Sequence, residues 1–223
     1  MRVVGYIRIG LFVVALLVAA FSGKVLVDEY RAFRNTHASG DDAFLRLRQD
    51  EHLSFSPWAI RTQMGVMEMC NEALIAPISS VVSVDVYRRI AGQCLGYASD
   101  ITETVPVWGL GQFSIARASF SLGDIEKAHD ALMLSARLSP REGWIARKRI
   151  LLALDPQWIV PPATLDQDLA LVLMERSGQK WVAQIFTSVP ESQEIILSVA
   201  ETLPGALQRS FLTQLRLAQQ GGA

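Results

Sequence analysis

The chain is poor in cysteine and in charge, and it carries no excess of one sign. Two cysteines in 223 residues exclude a disulfide-dense scaffold. Gly at 15 and Pro at 9 exclude a collagen-like or Gly/Pro-rich low-complexity chain. Twenty-one Lys+Arg against 22 Asp+Glu leave a net charge of −1, so no whole-chain electrostatic field draws it to nucleic acid. Common catalytic signatures are also missing: no H-E-x-x-H, no Walker A loop and no G-x-S-x-G elbow. His37, His52 and His129 are scattered and form no metal-ligand spacing with the cysteines. What the chain does have is hydrophobicity. Half of its residues are hydrophobic and the mean hydropathy is +0.25, which excludes a disordered chain.

Part of that hydropathy is concentrated at the start. Residues 3–27 carry only two charges, Arg8 and Lys24. As a helix they rise roughly 37 Å, enough for a hydrocarbon core of roughly 30 Å. Both charged side chains then lie near the ends, where they reach the interfaces. Residues 1–28 therefore read as a membrane anchor. A cleaved signal peptide is the competing reading, with Arg2 and Arg8 before an apolar region and Val18-Ala19-Ala20 as the cleavage site. The apolar run continues through Phe21 and Val25-Leu26-Val27, which favours the anchor. The N-terminal flank holds Arg2 and Arg8 without an acid, so the positive-inside rule places it in the cytoplasm. The rest of the chain then faces the periplasm of a bacterial inner membrane, as a single-pass protein. Residues 1–28 hold three of the 21 basic and one of the 22 acidic residues, so the exported 195 carry −3.

Beyond residue 40 the apolar positions recur at helical spacing. The expected helices are 57–75, 84–99, 106–121, 124–138, 142–154, 165–176, 178–187, 191–200 and 204–219. Ser56-Pro57, Ser139-Pro140 and Pro161-Pro162 break helices, and Gly123-Asp124 makes a tight turn. The β-branched run at 79–84 fits a helix entrance as well as a short strand. Residues 29–52 are polar and read as a linker, with room for a short helix at 42–49. Residues 53–223 read as one helical domain. The expected fold is all-α: an N-terminal transmembrane helix followed by an antiparallel helical-hairpin array.

Residues 109–140 read GLGQFSIARASFSLGDIEKAHDALMLSARLSP. Ala116 and Ala128 are small residues that let two helices approach closely. Gly123 takes the turn, and Leu138 and Pro140 close the second helix. Ile125, Ala128, Leu132, Ser135 and Leu138 make one helical stripe. This stretch resembles one tetratricopeptide repeat, with Gln112 and Ser119 where that family favours aromatic residues; the alternative is an unrelated helical hairpin. The anchor, the two spaced cysteines and the run Ser139-Pro140-Arg141-Glu142-Gly143-Trp144 also resemble small membrane-anchored helical-repeat proteins of bacterial envelopes. Some of those accompany surface-polysaccharide export. The resemblance implies an interaction scaffold without a cofactor, partnered by the inner membrane and another envelope protein.

Cys70 and Cys94 each lie 12 residues from Val82, the centre of an expected hairpin. They would face each other at one level, which points to a disulfide; two separate buried thiols are the alternative. Three near-motifs carry little chemistry. Gly109-Leu110-Gly111 lacks a preceding strand, so it reads as helix-start packing. Ser177-Gly178-Gln179-Lys180 matches S-x-x-K without partner motifs. Arg147, Lys148 and Arg149 are consecutive, spread around roughly 200° of a helix, and read as a solvated face. The competing reading of these cations is a patch for an anionic glycan or lipid head group. Of Trp58, Trp108, Trp144, Trp158 and Trp181, most read as core. Trp144 and Trp158, with Arg147, are the candidates for partner contact. The second functional reading is a periplasmic glycan- or small-ligand-binding module.

Overall fold

In a computed structural model, residues 2–35, 38–49, 59–156, 158 and 163–221 are described. All regular elements among them are helices. Two compact units divide at Tyr97 and Ala98. Neither boundary of the sequence reading, at 28 or at 52, coincides with that division.

In the first unit, α1 (Arg2–Asn35) contains an apolar stretch, Gly10–Arg31, that is 22 residues long with no residue buried. It is long and apolar enough to cross a membrane. Leu11, Phe12, Leu17 and Phe21 are all more than half exposed. In water that exposure is unfavourable at every side chain; in lipid it is favourable at every one.

The segment expected to be a linker is largely helical. Helix α1 runs on to Asn35, and α2 spans Gly40–Gln49. Asp41 and Asp42 occupy the first turn of α2 and Arg46 and Arg48 the last, matching the helix dipole. Its other face buries Ala43, Phe44 and Leu47 on α3 (Ile60–Ile75). A polar face plus three apolar residues at helical spacing is an amphipathic helix, not a spacer.

Helix α3 is followed by a 3-10 turn, Pro77–Ser80, and by α4 (Val84–Thr104). The β-branched run at 79–84 is thus a turn and a helix entrance. The Cys70–Cys94 disulfide bridges α3 and α4, with Cα atoms 5.6 Å apart. Val66, Met67, Ala73, Ile90 and Ala91 are fully buried in this unit. Tyr87 donates to the Leu74 carbonyl at 3.2 Å. Asp41 accepts from the Ile78 N–H at 2.9 Å, which fixes the start of α2 at the hairpin turn.

The second unit holds α5 (Gly109–Leu122), α6 (Ile125–Leu138), α7 (Gly143–Ala153) and α8 (Leu165–Leu173). It continues with α9 (Arg176–Ser188), α10 (Gln193–Glu201) and α11 (Gly205–Gly221). Helices α5 and α6 form an antiparallel hairpin. Gly123 takes φ +85° at its turn, a left-handed conformation that glycine adopts without steric cost. Asp124 caps α6 by accepting from the Lys127 N–H at 3.1 Å. Ala116 and Ala128 are fully buried. The α6 stripe buries Ala128, Leu132 and Ser135 but leaves Ile125 exposed at 37% and Leu138 half-buried. Helix α5 is buried on nearly every side, packed chiefly on α6 and also on α7.

Sequential pairing continues with α7 on α8 and then changes. Helix α9 packs chiefly on α11 and only lightly on α10. Gly178 permits a close approach at the start of α9, because a Cβ there would land on the Val172 carbonyl oxygen. Gly178→Ala should therefore destabilise the chain by about 1–3 kcal/mol, since the obstacle is backbone. Urea unfolding of the full-length protein in mild detergent measures this. An unchanged midpoint would contradict the close approach.

Candidate functional site

The polar centre of the second unit is Arg149, which is only 1% exposed. Its Nε donates to Asp168 Oδ2 at 2.8 Å and its Nη2 to Oδ1 at 2.5 Å. Nη1 reaches Ser135 Oγ at 3.4 Å, and Nη2 reaches the Ser139 carbonyl at 3.5 Å. Ser135 Oγ in turn donates to the Gly109 carbonyl at 2.8 Å. One guanidinium thus links α7 to α8 and α6, and through Ser135 to α5. Burial pushes the Asp168 carboxyl above its ordinary value, against the opposing pull of the Arg149 contacts. Such a group positions helices; it presents no open face to a substrate.

This corrects the reading of 147–149 as a solvated face. Arg149 lies on the stripe Ile145, Arg149, Ala153 of α7, and that stripe is buried. The spacing from Ile145 was the available signal. Its partner Asp168, 19 residues on, carried none.

Arg147 is half-buried and also engaged. Its Nη2 donates to Ser177 Oγ at 3.1 Å, and its guanidinium lies 5.7 Å from the Trp181 ring centroid. The serine of the S-x-x-K match therefore accepts from an arginine, and Lys180 is exposed. Trp144, one turn before Arg147, is 42% exposed. Among the described tryptophans it alone is classed as exposed. Trp158 is different. It is 8% exposed, donates to the Leu152 carbonyl at 2.7 Å, and stacks on Phe120 with ring centroids 5.0 Å apart. Its indole is largely buried, with the ring packed into the core. Gly109 begins α5 where a Cβ would collide with Ser139, so Gly109-Leu110-Gly111 is helix-start packing.

Clefts open among the described residues of this unit. One of about 530 Å³ runs beside the α5–α6 hairpin, lined by Ile115, Met133 and Leu134 with Lys127, Asp130 and Arg137. Another of about 510 Å³ is lined by Trp158 and Ile195 with Asp155, Asp166, Glu191 and Glu194. Among the described residues no group of three or more His, Cys, Asp or Glu is placed to hold a metal ion. His37, His52, Trp58, Pro161 and Pro162 lie outside the described residues. No family model matches the chain, and no match is found among curated proteins or solved structures.

Proposed function

We propose that this chain is a membrane-anchored helical-repeat scaffold of the bacterial cell envelope. Helix α1 holds it in the inner membrane with its N-terminus in the cytoplasm, and the helical body faces the periplasm. The body engages another envelope protein, and the process it serves is envelope assembly, with surface-polysaccharide export as the first candidate. It carries no catalytic centre. The observation that carries this reading is the apolar run of α1, none of it buried, on a chain whose other described elements pack as helices. The disulfide fits an oxidising compartment. The cleft beside α5 and α6 suits a helix or an extended peptide, since it pairs apolar side chains with charges of both signs. Co-purification from detergent-solubilised membranes tests the reading. A reproducible envelope partner, lost when Met133 and Leu134 are changed to Asp, is the expected result. Recovery of the bait alone would overturn it.

A second reading is a glycan- or small-ligand-binding module. The exposure of Trp144 beside the Arg147–Trp181 stack favours it. Thermal-shift titration with envelope glycans separates the two readings. A saturable stabilisation lost in Trp144→Ala supports the module; a flat titration supports the scaffold.

A further inference from the structure

The first unit ties the membrane helix to a segment 30 residues away. Glu29, near the end of the apolar span, accepts from the Ala59 N–H at 2.7 Å and from Thr62 Oγ1 at 2.6 Å. Its carboxylate caps the start of α3. The direction of α1 past α3 follows from chain length. Asn35 ends α1, and Asp41, six residues on, bonds Ile78 beyond the other end of α3. Six residues span at most roughly 21 Å. Helix α3, at 16 residues, is itself roughly 24 Å long. Had α1 run antiparallel to α3, Asn35 would lie a further turn and a half or so below its start, out of reach of Ile78. The two helices therefore run the same way, and the start of α3 points back along α1 toward the apolar span.

That end of the unit is apolar and basic. Ile60 is 63% exposed, Tyr30 60% and Leu26 70%, and Arg31 and Arg61 are exposed beside them. Among the described residues the acids there are Glu29, which caps α3, and Asp28, which is half-buried. A tyrosine, an aliphatic side chain and two arginines next to an apolar span match the composition of a membrane–water interface.

We propose that the start of α3, through Ile60 and Arg61, joins Tyr30 and Arg31 of α1 in a surface that contacts the head-group layer of an anionic bilayer. The unit then sits on the membrane that α1 enters, held there by the Glu29 cap, rather than hanging from a tether. This inference rests on the reading of α1 as a membrane span.

The test uses the full-length chain in nanodiscs of phosphatidylcholine with phosphatidylglycerol. Leu17→Cys, Ile60→Cys and Val81→Cys each receive a fluorophore, with the 70–94 bond kept intact. Val81, at the hairpin turn and 80% exposed, is the distant reference. Nitroxides are placed either on the lipid head group or deep in the acyl chain. The Leu17 label should be quenched by the deep nitroxide. The Ile60 label should be quenched by the head-group nitroxide about twofold or more over Val81, as for a side chain lodged at the interface. A deep Leu17 label with Ile60 equal to Val81 overturns the surface and leaves the anchor standing. A Leu17 label that escapes quenching overturns both.

Discussion

Asp168→Asn is expected to destabilise the folded chain by about 3–5 kcal/mol, among the largest single losses available in it. The substitution leaves the Arg149 guanidinium 1% exposed with its bidentate anion gone. Asn offers one acceptor where the carboxylate offers two. The loss is mostly the penalty of an unpaired buried charge. Replacing both partners, with Arg149→Met and Asp168→Leu, should therefore recover much of it, although each single change is severe. Urea unfolding of the full-length protein in mild detergent, followed by tryptophan fluorescence, gives the cycle. Additive losses in the double variant would show that the pair is not the linking element of α5, α6, α7 and α8.

The second large effect is expected at the disulfide. Cys70 and Cys94 are 24 residues apart in sequence and each is 2% exposed. Closing a loop of that length stabilises by about 3 kcal/mol in the chain-entropy account. The variant with Cys70→Ala and Cys94→Ala should lose about that amount, and reduction of the unaltered chain should lose a similar amount. Non-reducing mass spectrometry of periplasm-expressed protein should find the 70–94 bridge. Two free thiols in that material would contradict it.

These two sites differ in how much of them the sequence revealed. The cysteine pair was legible because a hairpin has a centre, and equal offsets from it place residues at one level. The α5–α6 turn was legible for a similar local reason: Gly123 and Asp124 have conformational and capping preferences that need no distant partner. Arg149 was not legible in the same way. Three consecutive cations look solvated; Arg149 instead falls on the buried stripe of α7, and the aspartate that pairs its charge sits on another helix. Glu29 is a parallel case. A carboxylate at the end of an apolar run reads as a flank, and its role as the cap of α3 exists only once the chain has folded back. Within the polar stretch at 29–52 the short helix expected at 42–49 is α2, but its packing on α3 was not legible, because Ala43, Phe44 and Leu47 are few among many charges, yet they share one helical face. The pairing of α9 with α11 rather than α10 is a tertiary choice that no local periodicity encodes.

Helix α1 carries an apolar run, Gly10–Arg31, with no residue buried, and it is long and apolar enough to cross a membrane, while the other described helices bury a core. On the proposed reading the apolar run of α1 lies in lipid and the disulfide-bearing helices lie in an oxidising aqueous compartment. Protease treatment of bacterial spheroplasts expressing the full-length chain tests this most directly. The expected result is a chain that stays with carbonate-washed membranes and is digested from outside, leaving a short fragment that contains α1. A chain released by carbonate, or one protected until the spheroplasts are lysed, would contradict it.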